Sequence, residues 1–367
     1  MTKLHLQALM LPVIFTPYRA AKVKIIDIMG DEVDHKQGTM HQRVEQIISP
    51  VYEVGGSVRD DFMGREPADY DFSTPHDPEY IEKKVREAKH KPYLIGKRFG
   101  TIGLKIKGKL VEITAFRVER YQEGNRKPTV AFVDDITADL SRRDFTINAI
   151  ARRGKKIIDP FGGREDIEKK IIRCAGTPTT RFQEDPLRIL RAARLAAQLG
   201  FVIDGETLGA MKKAAHRILE VSKERWVSEL DKLLMSSGTE LGLRYLMDTE
   251  LFSYIIPELS LQKNYDQNSE YHSRDLWEHT LIVVSNVPFD HCLRWAALLH
   301  DIAKPFVRKD RNDRSSYAKH DLLGAEIVVR IGRYLKWSNK RTEDVRMLVR
   351  EHMNDESPLR VADKMAR

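Results

Sequence analysis

Cysteine is nearly absent: Cys174 and Cys292 are the only two in 367 residues, far apart and in no CxxC arrangement. That argues against a disulfide framework and fits a reduced, cytoplasmic setting. Long apolar runs are missing too. The one N-terminal candidate, residues 8–15 (ALMLPVIF), is broken by Pro12 and is too short to span a bilayer. No small-residue cleavage site follows it. Neither sign of charge dominates, with 62 Lys and Arg against 54 Asp and Glu for a net of +8. Such an excess points only weakly to a polyanionic partner. Strand signals fade beyond Phe182, so whatever sheet the chain builds lies in its first half.

What is present is enough for several cores. A chain of this length expects two to four domains. Charged residues at 32% and apolar ones at 41% suit a soluble, helix-rich protein. Its organising stretch is Val51–Thr74, VYEVGGSVRDDFMGREPADYDFST. The run Val51–Val54 reads as a strand, Gly55-Gly56 as a turn, and Ser57 as the cap of a helix through Val58–Met63. Backbone N–H groups at such a turn suit phosphate. Further on, Asp69 and Asp71 alternate with Tyr70 and Phe72, so in a strand both carboxylates share a face. Adjacent carboxylates repel unless a cation lies between them, and Mg²⁺ prefers oxygen ligands together with substrate phosphates. With Arg59 one turn into the helix, the stretch predicts a metal–triphosphate site.

Gln42–Ile48 reads as a helix feeding the first strand, and Pro78–Ala88 as a helix with a charged face. Thr101–Lys107 and Leu110–Phe116 read as a hairpin turning at Gly108-Lys109. Glu112 in its second strand is either a third metal carboxylate or an exposed strand residue. Arg117–Pro128, RVERYQEGNRKP, reads as a mobile loop. Ala138–Ala151 predicts a helix entering a core, and Ile157–Asp166 a strand followed by a Pro/Gly turn.

In the second half, Glu184–Leu199 predicts one strong helix. Ile189, Leu190, Ala193, Ala196 and Ala197 share one side, and Arg188, Arg191 and Arg194 the other, with Asp185 at its edge. Helices are expected at Gly205–Leu219, Lys223–Met235 and Thr239–Asp248. Gln262–Asp275 is a polar boundary. Beyond it, His279 and the pair His300-Asp301 form a candidate divalent-metal site, with His320, Asp321 and His352 nearby in sequence.

Taken together, GGSVRD, DYDFST, RRDFTINAIA, DPFGGRED, EDPLRILRAAR and KERWVSEL resemble the class II tRNA nucleotidyltransferases (CCA-adding enzymes) and the related bacterial poly(A) polymerases. The resemblance runs from about Val51 to Leu234. The His279, His300 and Asp301 region resembles an HD phosphohydrolase domain. The implied fold class is α+β: a polymerase-beta-like nucleotidyltransferase head with a mixed sheet, then an all-α neck and body, then an all-α HD domain. The implied boundaries are 1–40 for an N-terminal extension, 41–175 for the head, 176–261 for the body and 262–367 for the HD domain.

The resemblance also implies roles. Asp69 and Asp71 would be catalytic and bind two Mg²⁺ ions. Gly56 and Arg59 would hold the triphosphate, and Arg143 and Asp144 would contact the incoming nucleotide, Asp144 at its ribose. Asp185 and Arg188 would read the base edge, with Arg191 and Arg194 assisting. The HD site would take a transition metal such as Ni²⁺ or Mn²⁺. Implied partners are a tRNA 3′ end, CTP and ATP, with no membrane, and the protein could be a monomer or a dimer. The implied reaction is template-independent addition of C, C and A, with poly(A) synthesis or partial CC- or A-addition as the alternative. Arg117, Glu119, Tyr121 and Arg126 favour full CCA addition, because in the family a flexible loop here is associated with the terminal A. An alarmone synthetase/hydrolase would carry its HD domain first, and an inactive RNA-binding module would more readily have lost Asp69 or Asp71.

Overall fold

The computed structural model describes residues 38–122, 125–268, 275–311 and 314–366. Most of the expected N-terminal extension and the middle of the Gln262–Asp275 boundary lie outside the described residues. Helix α1 (Met40–Ile47) leads into strand β1 (Tyr52–Val54), helix α2 (Gly56–Phe62), strand β2 (Tyr70–Thr74) and helix α3 (Pro78–Glu87). Asp77 caps α3 by accepting from the Tyr80 amide at 2.7 Å, and Pro78 follows at the first helical position. Strands β3 (Thr101–Ile106) and β4 (Lys109–Ala115) form the expected hairpin. Its turn falls at Lys107-Gly108, both with positive φ (48° and 78°), one residue earlier than expected.

The expected loop at Arg117–Pro128 is instead a second hairpin, β5 (Arg117–Gln122) with β6 (Asn125–Phe132). Its charged sequence hides the pairing because the ribbon stands apart from the main sheet and needs no apolar face. The side chains of Tyr121 and Arg126 lie outside the described residues.

Ala138–Ala151 is not one helix. Helix α4 (Ile136–Ser141) ends, a 3₁₀ turn spans Thr146–Asn148, and strand β7 (Ala151–Arg153) follows. Local side-chain bonds compete with a helical backbone here: Asp144 Oδ1 accepts from the Phe145 amide at 2.8 Å and from Asn148 Nδ2 at 3.1 Å. Strand β8 (Lys156–Ile158) completes a six-stranded mixed sheet of order β3-β4-β2-β1-β7-β8, in which β2 and β4 run parallel. Val44, Phe72, Ile81, Ile102 and Ile113 pack on one face, and Val54, Phe116 and Leu140 on the other.

Helix α5 (Gly163–Glu168) and strand β9 (Ile171–Ile172) lead to helix α6 (Pro178–Glu184) and helix α7 (Leu187–Leu199). The predicted single helix is therefore broken, at Asp185-Pro186. A residue before proline is driven out of the α region, and Asp185 is extended at φ −143°, ψ 101°. Strand β10 (Val202–Ile203) pairs with β9, after which the chain is helical apart from one short antiparallel hairpin, β11 (Lys309–Arg311) with β12 (Arg314–Ser316), in the region expected to be all-α: α8 (Gly205–Ala214), α9 (Lys223–Leu234), α10 (Thr239–Asp248), α11 (Phe252–Ile255) and α12 (Pro257–Ser260). A last set follows: α13 (Leu276–Asn286), α14 (His291–Leu299), α15 (Lys304–Val307), α16 (His320–Tyr334), α17 (Asn339–Arg350) and α18 (Pro358–Met365). One continuous core runs from Val58 and Phe145 through Leu190, Trp226 and Leu246 to Trp295, Val328 and Leu359. The α+β architecture is as expected, a mixed-sheet head followed by helices. No helix among the described residues is long and apolar enough to cross a membrane.

Candidate functional site

A cleft of about 520 Å³ is lined by residues from β2, the Gly55-Gly56 turn, the 142–148 segment and helix α7. Gly56, Arg59, Asp71, Arg143, Asp144, Asp185, Arg188, Arg191 and Arg194 all line it, so nine of the ten residues singled out in the first two-thirds of the chain share one cavity. Asp69 is the exception. It lies just before β2 and is exposed.

The turn has this shape because only glycine fits it. Gly55 has φ 75°, ψ −134°, and a Cβ there would lie 2.9 Å from Arg143 Nη1 and 3.6 Å from Asp71 Oδ2. Gly55, not Ser57, is the N-cap of α2. Ser57 is buried and donates its hydroxyl to the Val54 carbonyl at 3.3 Å.

Parallel pairing places Asp71 in register with Glu112 of β4. Burial, then the charge of Asp69 against those of Arg143 and Arg59, raises the Asp71 pKa on balance. Partial burial, followed by Asp71 and Asp69, likewise raises that of Glu112. Clustered carboxylates of this kind are a donor set suited to a hard divalent cation.

The arginines are held by buried acids. Asp139 is fully buried, receives Arg142 at 2.8 Å and Arg143 at 3.3 Å, and accepts from the Arg117 amide at 3.3 Å. Burial opposes its ionisation, but Arg143 and Arg142 outweigh that and lower its pKa. Asp144, 8% exposed, takes Arg191 Nε at 2.8 Å and Nη2 at 2.5 Å through Oδ2. Glu229 receives Arg194 Nε at 2.6 Å. Arg59 Nη1 donates to Asn148 Oδ1 at 2.7 Å, and its other nitrogens donate to Asp60. Asp185 Oδ2 receives Arg225 at 2.8 Å, while its Oδ1 accepts from the Leu187 amide at 3.1 Å. Arg188 is buried to 7% exposure and donates to Glu184 at 2.6 Å and to the Arg142 and Arg181 carbonyls. It is buried and still lines the cleft.

Sequence reasoning missed Arg142, Asn148 and Arg225 as lining residues and Asp139 and Glu229 as their organisers. The first two lie within RRDFTINAIA and Arg225 within KERWVSEL, so the blocks were seen but not each residue. Glu119 lines the cleft and binds Arg117 at 3.0 Å and Arg142 at 3.4 Å.

A second constellation lies among α13 to α18. His279, His300, Asp301 and Asp363 bring ligand atoms within 4.8 Å of one another, and so do Asp301, His320 and His352. All six residues are buried. The structure brings the expected trio together with His320 and His352, both pointed to in the sequence, and with Asp363, while Asp321 belongs to neither group. Asp363, on the last helix, gave no sequence signal of its own. Its Oδ1 is 3.1 Å from His279 Nε2, and its Oδ2 accepts from Arg360 at 3.0 Å. Burial opposes ionisation of Asp301, yet His300 and Lys304 hold its pKa well below the usual range. Burial, then His300, depresses His352 to about 4, so that ring is neutral at physiological pH. Imidazole nitrogens and carboxylate oxygens together are a transition-metal ligand set. Near it, a cavity of about 660 Å³ is lined by Phe306, Leu322, Lys309, Lys319 and Arg350 among others.

Three families match the chain in succession: Poly A polymerase head domain over residues 51–173, probable RNA and SrmB-binding site of polymerase A over 200–262, and HD domain over 270–366. The CCA-adding enzyme of Bacillus pumilus is 41% identical over 216 residues, which is 58% of this chain and 52% of that one. The CCA-adding enzyme of Staphylococcus epidermidis is 32% identical over 328 residues, covering 86% of this chain and 80% of the relative. The chain spans only about half the length of some relatives that it matches. Among solved structures, the Bacillus stearothermophilus CCA-adding enzyme in complex with CTP aligns with a TM-score of 0.61 at 30% identity, over 88% of this chain and 75% of that one. The Thermotoga maritima CCA-adding enzyme complexed with tRNA shares the fold at a TM-score of 0.60 and 22% identity, over 88% and 75% of the chains.

Proposed function

This chain belongs to the CCA-adding enzyme family, and from that premise we propose that it adds C, C and A to the 3′ end of tRNA from CTP and ATP. The observation that carries the reading is the cleft itself, which gathers the paired-strand carboxylate, the glycine turn and the arginine-lined helix start in one cavity. The likeness to a CTP-bound relative at 30% identity supports it.

Asp69 and Asp71, with Glu112 in register beside Asp71, supply the oxygen donors that would hold Mg²⁺. Bound there, such ions would supply acidity for the 3′-hydroxyl and balance charge on the leaving pyrophosphate. The chain's own groups do the rest. Gly56 and Arg59 receive the triphosphate at the turn, and Arg143, anchored by Asp139, presents charge to it. Asp144 acts through Arg191, which it fixes. Asp185 offers acceptors and Arg188 donors near the start of α7, the chemistry needed to pair with a base edge as another base would. Glu119 and Arg117 bring the β5–β6 hairpin to the cleft, which favours full CCA over partial addition.

In the HD region, His279, His300, Asp301 and Asp363 would hold a divalent metal such as Ni²⁺ or Mn²⁺ and hydrolyse a phosphoester. A 2′,3′-cyclic phosphate or 2′-phosphate on a damaged RNA end fits, because its removal restores the hydroxyl that the head extends.

Nucleotide binding to the full chain, measured by calorimetry with Mg²⁺, tests the head assignment. CTP and ATP should bind while UTP and GTP bind at least tenfold more weakly; equal binding of all four would contradict base selection by the protein.

A further inference from the structure

The outer side of α16 carries a cluster that neither the head cleft nor the buried histidines use. Lys319, Leu322, Leu323 and Glu326 recur at helical spacing and so share one face. His320, Gly324 and Val328 belong to the buried side of the same helix. On the outer face Leu322 is 43% exposed and Leu323 36%, and both line the cavity of about 660 Å³. Phe306 of α15, 52% exposed, lines it with them. Apolar side chains left open to water as a group mark a contact surface.

Cations surround this apolar floor. Lys309 of β11, Lys319, and Arg346 and Arg350 of α17 line the cavity, with Glu326 among them. Arg346 is already held, its Nη2 donating to Glu343 at 2.6 Å. Lys309, Lys319 and Arg350 are exposed, and neither lysine forms an ion pair among the described residues.

Lys319 is unfavourable where it stands. It precedes α16 as its N-cap at φ 66°, ψ 20°, and its side chain makes no cap hydrogen bond. The left-handed region disfavours a residue with a Cβ, and a helix N-terminus disfavours a cation. A residue that weakens its own helix points to a use outside that helix.

An occupant of this cavity must bring a flat apolar surface for Phe306 and negative charge for the rim. An unpaired RNA nucleotide brings both, its base to stack and its flanking phosphates to pair. The cavity is of a size that holds one. A duplex keeps its bases stacked inside and offers Phe306 nothing, and a bilayer surface does not enter a concavity. The chain's net charge of +8 favours a polyanion.

Resting on the reading of RNA as this protein's substrate, we propose that the groove lined by α15, α16 and α17 is a second RNA-docking site. Phe306 stacks an unpaired base of the RNA, and Lys309, Lys319 and Arg350 hold the phosphates on either side. No residue that lines the groove belongs to the buried histidine–aspartate groups, so the site positions RNA and takes no part in chemistry.

The test is binding of tRNA lacking its C, C and A to the full chain, followed by fluorescence anisotropy from about 50 to 200 mM salt. Lys309→Gln combined with Lys319→Gln should weaken binding and lower the slope of log affinity against log salt by about 1.4, the loss of two single-strand phosphate contacts. Phe306→Ala should weaken binding about tenfold and leave the slope unchanged, because stacking releases no counterions. In extension assays both variants should raise KM for tRNA and keep kcat within about twofold. Affinities and slopes equal to the wild type in both variants would overturn the groove and leave nucleotide addition untouched. A fall in kcat with KM unchanged would also overturn it. Wild-type protein that binds tRNA as described but does not extend it would contradict the addition reading instead. The two variants are separate and replace exposed side chains, so if circular dichroism shows one to be misfolded, the other decides.

Discussion

Asp144 Oδ2 accepts from Arg191 Nε at 2.8 Å and from Arg191 Nη2 at 2.5 Å, joining the sheet domain to helix α7 inside the cleft. A buried ion pair of this kind is expensive to break, because the survivor keeps its charge without a partner. Arg191→Ala should lower stability by about 3 kcal/mol in denaturant unfolding, the low end of the range because Arg191 is partly exposed. A loss under about 0.5 kcal/mol would show that the pair is incidental.

The same pair makes a pH prediction. Burial opposes ionisation of Asp144, but Arg191 and Asn148 outweigh it and hold its pKa far below the usual carboxylate range. Since the folded value is the depressed one, the stabilisation is full above the unfolded value of about 4 and fades as pH falls below it. The stability gap between the wild type and Asp144→Asn should therefore be narrower at pH 3 than at pH 7. A constant gap would contradict an ionised Asp144.

Asp69→Ala or Asp71→Ala should reduce Mg²⁺-dependent nucleotide incorporation on the order of 10³-fold, the scale of several kcal/mol of lost charge stabilisation. The unfolding midpoint should not fall, since Asp69 is exposed and burial, on balance, disfavours the charged form of Asp71 despite Arg143. Near-normal incorporation by either variant would remove the metal-ligand assignment.

How far the sequence alone reached differs by element. The glycine turn, β2 and the α7 arginines were legible because their signals are local: a glycine pair, strand alternation and a helical period. The break at Asp185-Pro186 was legible in principle, since proline excludes its predecessor from a helix. Apolar periodicity on either side masked it. The β5–β6 hairpin was hidden because a solvated ribbon carries no hydrophobic alternation. Asp139, Glu229 and Asp363 were not legible at all. Each is a lone acid on a helix, and only tertiary packing turns it from a surface charge into a buried anchor.

Base choice rests on the start of α7. Asp185→Ala should cut the ratio of CTP and ATP to UTP and GTP incorporation about 10- to 100-fold, the discrimination carried by one good bidentate base contact. Arg225→Ala, which leaves the Asp185 carboxylate without its 2.8 Å partner, should shift the same ratio less. A uniform fall for all four nucleotides would assign Asp185 to folding or phosphate binding.

In the HD region, His300→Ala and Asp301→Ala should abolish Ni²⁺- or Mn²⁺-stimulated hydrolysis of a 2′,3′-cyclic nucleotide while leaving nucleotide addition within about twofold, because their ligand set is separate from the head cleft. Metal-stimulated hydrolysis that persists in both variants, or is missing from the wild type, would contradict a second active site.

The central claim is the identity of the product. The full chain is supplied with tRNA ending before its C, C and A, together with CTP, ATP and Mg²⁺, and the 3′ ends are sequenced. The account predicts C, C and A in that order, followed by arrest. Runs of A, arrest after the two cytidines, or unextended tRNA would contradict it.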